Sequence, residues 1–475
     1  MPETRPADLR TFIEGLRRER PDDILELEGI DLRYQLSALQ WKLETQGLFP
    51  FIIVHNAITA QGERSKFPVV TNMFASRARC AWALGSTPER VSFTYAEKVR
   101  KRLEPEVIPN EKAPCQEVVK QGKDVNLLEL PAPIHHEWDP APYLTAGFCT
   151  MKWPDLEAYN DGLHRAMIRD RYTMATFLSF AKHNWYILEE NNRRKVPTPV
   201  VFWLGHHAGV YFGAQARAAS YHDEYTLPGA FTGTPFRLTP SVTWGEKFLV
   251  PADAEFVIEG EILPGEEVPE GPFGEYTRYY GEQRYSPLIH VKAITHRKDA
   301  IFQDILVSHA DNHVMGGFPL EGRVYESVRA NVASVRNVHL PLSGCCRFLC
   351  YVQISKQTEG EGKLAAALAL PTDSRIKYVV VVDDDVDIFN EAEVLWAVAT
   401  RTKFPDDAII ITDVIGEGLD PMGTDTGLVT KVGIDATRPI ATAFAEKVSF
   451  PREVLAELHL DRLVPRHILE RLPRS

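Results

Sequence analysis

The sequence predicts a mixed α/β (α+β) protein built of successive units, and three features of the 475-residue chain carry that reading. Its length exceeds what one ordinary hydrophobic core organises, so two or three packed units are expected. Between about Leu144 and His309 the texture is β-rich: Val200–Leu204, Glu255–Ile262 and Leu288–Ile294 are β-branched or alternating, with Pro and Gly clusters between them. Beyond this stretch, short apolar runs and helical patterns alternate regularly, the pattern of a separate α/β layer.

In chain order, the region up to about Gln121 predicts a small α/β layer. Ala7–Arg18 places Leu9, Phe12, Ile13 and Leu16 on one helical face. Phe51–Val54 suits a buried strand and Ser76–Leu84 a helix. The proline-punctuated segment Leu130–Ile134 reads as a connector. The β-rich region then predicts a barrel or strongly bent sheet, interrupted by a helical run over Thr173–Asn191. Gly322–Val335 reads as a connecting helix. After it come strand Phe348–Ile354, helix Gly362–Leu370, strand Tyr378–Val382, helix Glu391–Thr400 and strand Ala408–Thr412. The expected divisions are 1–125, 126–320, 321–338 and 339–475.

Composition excludes several classes of partner. Hydrophobic residues at 44% and charged residues at 25% describe a soluble globular chain. A net charge of −12 without a basic stripe argues against nucleic acid. No apolar run approaches the roughly 18 to 20 residues that span a bilayer. The charged start, MPETRPADLR, lacks the apolar stretch of a signal peptide, so a cytoplasmic protein with no membrane association is expected. None of the six cysteines forms CxxC, and buried thiols are expected.

Three polar clusters fall in the β-rich region. One is Asn160-Asp-Gly-Leu-His-Arg165, followed by Lys182-His183-Asn184-Trp185. A second is His222-Asp-Glu-Tyr-Thr226, followed by Ala230-Phe-Thr-Gly233. The third is Val268-Pro-Glu-Gly-Pro-Phe-Gly-Glu-Tyr276. In it Glu270 and Glu275 flank a turn that cannot continue a helix. Two carboxylates so held near an arginine can divide their roles, one ionised against the cation and one pushed towards the acid form. A decarboxylase needs such a pair, to position the leaving carboxylate and to protonate the carbon left behind. Taken alone, the turn reads rather as a tight turn with two solvated glutamates. Asn160, His183 and Glu224 are oxygen, nitrogen and charged-oxygen donors that suit Mn²⁺ or Mg²⁺ better than a thiolate zinc site, if they meet.

Other motifs carry less. His309-Ala-Asp-Asn-His313 lacks the glutamate of HExxH, and the pairs His135–His136 and His206–His207 diverge on any regular element. Asp383-Asp384-Asp385 reads as a strand-end turn and helix cap, and no Rossmann or Walker loop is present.

Together the clusters resemble the UbiD decarboxylase family. The order Asn160-x4-Arg165, His183, Glu224 and Pro269-Glu-Gly-Pro-Phe-Gly-Glu275 matches its pattern, with Lys431 in Thr430-Lys-Val-Gly-Ile-Asp435 and the run Val381–Phe389. The resemblance extends over nearly the whole chain. It implies a central split β-barrel that binds prenylated FMN, an N-terminal α/β layer and a C-terminal oligomerisation domain. It also implies a flavin prenyltransferase as cofactor supplier, Mn²⁺ (or Mg²⁺) and K⁺ beside the cofactor phosphate, and a homodimer or homohexamer. Carried over, Asn160, His183 and Glu224 would hold the divalent ion. Glu224, with carbonyls near Gly213–Ala216, would hold K⁺. Leu163, His164, Arg165, Lys182, Gln215 and Lys431 would complete the cofactor site, Lys431 at the phosphate. Arg165, Glu270 and Glu275 would form the catalytic network, with Glu275 the proton donor to a small carboxylic acid. Tyr276 and Leu342–Arg347 are candidates for substrate contact. Aromatic and heteroaromatic acids are preferred, and α,β-unsaturated acids stay open. So do two other readings: an FMN oxidoreductase on the same barrel, and one subunit of a multi-component (de)carboxylase.

Overall fold

The structure, a computed structural model, describes residues 6–180, 182–216, 222–423 and 427–466. The N-terminal helix Leu9–Glu19 forms where expected. Asp8 accepts the Thr11 amide while Thr11 bonds back to the Asp8 amide, and Leu9, Phe12, Ile13 and Leu16 are buried. Helix Arg77–Ala83 is capped by Ser76, and Phe51–His55 is a buried strand. That strand lies in a four-stranded sheet with Ile24–Glu28, Val69–Thr71 and the distant Phe302–Gln303. The connector Leu130–Ile134 is buried against this layer, with Tyr34 N bonded to Ile134 O.

The central sheet has nine strands among the described residues and curls into a half-barrel. Its two long strands, Phe256–Glu270 and Arg284–His296, pair antiparallel with register shifts between Glu259 and Gly260 and between Ile262 and Glu267. Such bulges bend and twist a sheet. Along the sheet, Tyr159–Leu163 stands at one end of the strand order, while Ala166–Ile168 stands next to the other end. Only His164 and Arg165 separate them in sequence, so the curl must bring the two ends together.

One expected element is wrong in part. The helical run over Thr173–Asn191 is two elements: Thr173–Thr176 is a strand between Ala166–Ile168 and Arg284–His296, and the helix begins at His183 and ends at Arg194. The β-branched Thr173 and Thr176 are better served by a sheet, Thr176 pairing with nearby Ala166 and Thr173 with His290 more than a hundred residues away, which helical periodicity does not reveal.

The connecting helix also differs from its expected bounds. It spans Ala310–Arg329, and Val335 already opens a strand. Gly316, Gly317 and Pro319 weaken its helical signal, yet small residues are needed there. A Cβ on Gly316 would sit 1.8 Å from the Arg347 guanidinium. The C-terminal sheet runs Val335–His339, Leu349–Ile354, Tyr378–Asp383, Leu428–Ala436, Ala408–Ile415, with helices Glu361–Ala369 and Glu391–Arg401 over it. Asn390 caps the latter helix, so the expected capping by Asp383–Asp385 is corrected. Asp383 and Asp385 instead bind Arg401 at 2.7 and 2.8 Å. No helix among the described residues is long and apolar enough to cross a membrane.

Glu321, fully buried in the connecting helix, joins the N-terminal layer to the C-terminal sheet. It accepts two bonds from Arg77, at 2.9 and 2.6 Å, one from His339 Nδ1 and one from the Leu340 amide. Burial raises its pKa, but Arg77 and His339 overcome this and hold it at about 2, below the ordinary 4.5. The stabilisation is therefore complete above pH 4.5 and is lost as pH falls towards 2. Glu321→Gln is expected to cost about 3 kcal/mol at pH 7 by leaving the half-buried Arg77 without its carboxylate. Denaturant midpoints of variant and wild type should converge as pH falls through that window.

Candidate active site

Both polar constellations lie where the half-barrel closes. Strand Tyr159–Leu163 pairs with Phe148–Lys152 and presents Asn160, which is buried. Its Oδ1 meets His183 Nδ1 at 2.9 Å, and its Nδ2 donates to Asn184 Oδ1, which is tied in turn to the Cys149 carbonyl. Glu224 Oε1 is 3.8 Å from the same His183 nitrogen, and Oε2 accepts the Asp161 amide at 2.7 Å. The three expected donors converge from a strand, a helix start and a short turn.

Their spacing fits one octahedral cation. Ligands about 2.1 Å from a Mg²⁺-sized centre lie about 3 Å apart when adjacent and about 4.2 Å when opposite. The observed 2.9 and 3.8 Å fall in that range. The donor set contains no thiolate, which excludes a typical structural zinc site.

Asp161, missed by sequence reasoning, supports this cluster. It is buried between Thr150 Oγ1 and Trp203 Nε1, both of which donate to it. Burial, with Glu224 nearby, pushes its carboxyl up to about 8, so it is neutral at pH 7 and does not repel Glu224. Asp223 Oδ1 accepts the Tyr225 and Tyr159 amides, which fixes the Glu224 turn. The consecutive Asn160-Asp161 and Asp223-Glu224 pairs were the available signal.

The remaining expected cofactor residues divide. Leu163 and His164 follow Asn160 on the closing segment. His164 Nδ1 donates to the Phe177 carbonyl, and burial lowers its pKa. Lys182 is exposed at the start of helix His183–Arg194, where no side chain caps the first-turn amides. Such a terminus favours an anion. Gln215 is half-buried beyond helix Ala208–Gly213, and Gly213 packs on Leu227–Pro228 just past Glu224. Lys431 is not brought to this cluster. Its ammonium donates to the carbonyls of Leu370 and Asp373 in the C-terminal domain, at 2.9 Å each.

Arg165 leaves the same closing segment towards the other face. Its Nε and Nη2 make a two-pronged pair with Glu270 at 2.8 and 2.9 Å, while Nη1 donates to Glu275. Glu270 is fully buried, and Glu275 nearly so. Phe273 and Phe177 lie 4.6 and 5.2 Å from the guanidinium carbon, and the Thr176 hydroxyl holds the Arg165 carbonyl. Tyr143, which no motif signalled, packs on Phe273 with its hydroxyl buried beside this group. Burial raises the Glu275 pKa although Arg165 opposes it, and neighbouring Glu270 adds to the rise. One glutamate is thus locked to arginine by two bonds and the other is biased towards its acid form. This is the division of labour a decarboxylation requires.

The fold and this pair of constellations define a carboxy-lyase. The description 3-octaprenyl-4-hydroxybenzoate carboxy-lyase matches in three parts: an N-terminal domain over residues 17–99, a Rift-related domain over 106–310 and a C-terminal domain over 313–436. The chain belongs to the UbiD family and is a decarboxylase. The anhydromevalonate phosphate decarboxylase of Methanosarcina mazei is 34% identical over 82% of this chain and 88% of its own length. The UbiD-class enzyme HmfF from Pelotomaculum thermopropionicum, solved with FMN, superposes with a TM-score of 0.89 at 31% identity, covering 96% of this chain and 100% of that one. Apo 3,4-dihydroxybenzoic acid decarboxylase from Klebsiella pneumoniae gives 0.84 at 27% identity, covering 95% and 99%.

Gly281 closes the back of the Glu275 carboxyl. A Cβ there would approach Oε1 to 3.0 Å and Cγ to 3.1 Å. Gly281→Ala is expected to push Glu275 off Arg165 and lower kcat by about 10- to 100-fold, the scale of a small misplacement. Cofactor content should stay at the wild-type level, as absorbance will show.

Proposed function

We propose that the protein decarboxylates an unsaturated or aromatic carboxylic acid with prenylated FMN, and that Arg165, Glu270 and Glu275 carry the reaction. The observation that carries this reading is one buried arginine clasped by two glutamates, Glu270 through two bonds and Glu275 through one, with burial raising the Glu275 pKa. The structural neighbour HmfF has been solved with FMN and, in an evolved dimeric form, with prFMN. Asn160, His183 and Glu224 would hold a Mn²⁺- or Mg²⁺-type ion against the cofactor phosphate, with the open start of helix His183–Arg194 beside it. Glu224 would also face a K⁺-type ion. Prenylated FMN supplies, when bound, an electron sink for the pair released with carbon dioxide.

The chain's own residues do the rest. Arg165 orients the substrate carboxylate, and Glu270 keeps that guanidinium charged and fixed. The carbon–carbon bond to the carboxylate breaks and carbon dioxide leaves with no net electron change. The carbon then takes the proton of the Glu275 acid, which regains one from solvent. Because burial raises its pKa, Glu275 keeps the acid form to higher pH than an exposed glutamate and loses it as pH climbs further. The relatives' names span anhydromevalonate phosphate and 3,4-dihydroxybenzoic acid, which keeps both acid classes in play. Association through the C-terminal domain fits the exposed Ile410 and Ile415 of its edge strand and the exposed Val448 and Phe450 beyond it.

Glu275→Gln keeps size and hydrogen bonding and removes only the transferable proton. It is expected to retain flavin and metal and to lose roughly 10²–10⁴-fold in kcat. In D₂O, wild-type product should carry deuterium at the former carboxyl carbon. Wild-type turnover and exchange in the variant would remove Glu275 from the chemistry.

His183→Ala and Glu224→Ala should each lower divalent metal and flavin together, since both are assigned to one phosphate. Elemental analysis and flavin absorbance, read on the same preparations, test this. Full metal with full flavin in both variants would break the ligand assignment.

A further inference from the structure

Glu275 stands at the head of a tight turn whose far end is fastened to a different layer of the molecule. Its amide donates to the Tyr279 carbonyl at 2.9 Å, and the Arg278 amide donates back to the Glu275 carbonyl at 3.0 Å. Arg278 takes φ +65°, in the left-handed region that glycine enters most easily. An arginine in such a place offers a side chain that glycine does not have.

That side chain reaches Glu44, 234 residues earlier, where Arg278 Nη2 donates to Oε1 at 2.6 Å. Glu44 lies in the last turn of helix Gln35–Thr45, part of the N-terminal layer. Its other oxygen accepts the Ala310 amide at 2.9 Å and lies 3.4 Å from His309 Nδ1. The N-cap residue His309 makes no side-chain bond to the first amides of helix Ala310–Arg329, so Glu44 caps that helix from outside. The same helix carries His313, whose Nε2 donates to the Tyr276 carbonyl at 2.7 Å. One carboxylate thus fixes both the Arg278 end of the turn and the helix that holds Tyr276.

Burial raises the Glu44 carboxyl, but His309, the Ala310 amide and Arg278 together hold it below its ordinary value. It is therefore ionised at neutral pH. Arg278 is half-exposed, and such a pair adds little to the stability of a whole protein. Its effect falls on the short turn itself.

We infer that Glu44 and Arg278 are positioning residues for Glu275: through this ion pair the N-terminal layer holds the turn that presents the acid to the site. The inference rests on the reading of Glu275 as proton donor. Arg165, Glu270 and Arg284 are the charged groups around the Glu275 carboxyl, but burial acts on it most. A loosened turn admits water, which brings the acid back towards an ordinary glutamate and makes it release its proton at lower pH.

The test uses holoenzyme, made alongside a flavin prenyltransferase, of wild type, Glu44→Gln, Arg278→Gly and Arg278→Lys. Glycine suits the left-handed backbone and removes only the side chain, and lysine keeps a charge within reach of Glu44. Two readouts need no substrate. They are hydrogen exchange at the Glu275 and Arg278 amides, and titration of the infrared carboxylic-acid band that Glu275→Gln removes. Glu44→Gln and Arg278→Gly should exchange several-fold faster at those amides and titrate at lower pH, while Arg278→Lys stays near wild type. Flavin content and melting temperature should match wild type in all three. In the first two variants, turnover of 3,4-dihydroxybenzoic acid and hex-2-enoic acid should fall about 10-fold in kcat with KM held. Where neither acid reacts, the two substrate-free readouts decide. Wild-type exchange and titration in both Glu44→Gln and Arg278→Gly would overturn the inference. So would a wild-type Arg278→Gly beside an altered Glu44→Gln, which leaves Glu44 a helix cap alone. Exchange that rises across the whole chain would overturn it in favour of a purely structural pair. If Glu275→Gln turns over at the wild-type rate while the turn's exchange behaves as expected, the donor reading fails and the tether stands.

Discussion

The closure of the central sheet through His164 and Arg165 is the constraint on which the site depends. Asn160 and Arg165 lie on one short segment, yet they serve opposite ends of the strand order. The curl that lets two residues bridge those ends also brings His183, Glu224, Glu270 and Glu275 to the seam from four other elements. The seam is fastened by backbone bonds, His164 N to the Gly147 carbonyl and the Thr176 hydroxyl to that of Arg165. A group of oxygen and nitrogen donors and an acid pair are therefore held at a fixed separation by short connections anchored on the ends of strands and helices.

Electrostatics at the seam is set locally, against the charge of the whole protein. Arg165 stays charged inside because Glu270 takes two of its donors, and a buried arginine without such a partner would cost several kcal/mol. Asp161 does the reverse, remaining neutral under Glu224 because it lies in a dry pocket of Thr150 and Trp203. Like-charged carboxylates placed so close can coexist only when one holds its proton. The two solutions sit within a few residues of each other.

Much of this was legible in sequence where the determinants are local. The 3.6-residue spacing of Leu9, Phe12, Ile13 and Leu16 gave the first helix, and the alternation of apolar runs after Phe348 gave the C-terminal sheet. Thr173–Thr176 escaped because one of its two strand partners, Arg284–His296, is remote, and Ala310–Arg329 was shortened because glycines chosen for close packing look like helix breakers. At the site, the family pattern brought forward Asn160, His183, Glu224, Arg165, Glu270 and Glu275, and these do meet. Spacing alone does not reveal such convergence. The Lys431 ammonium donates to the Leu370 and Asp373 carbonyls, a placement that the sequence pattern around it does not convey. Tyr143 had no motif to mark it, and Asp161, though inside the first polar cluster, takes its significance only from what folding places beside it.

The cysteines have a consequence of a different kind. All six are free and buried, and burial pushes the Cys80 and Cys346 thiols up to about 12. Since the thiolate is the reactive form, an alkylating reagent finds little to attack in the native protein. Cys345 is the least enclosed of the group and sits on the loop that carries Arg347. The chain thereby contains its own stopwatch. Labelling of Cys345 times the opening of that loop, and labelling of Cys80 or Cys350, deep in separate cores, times the unfolding of the layers themselves.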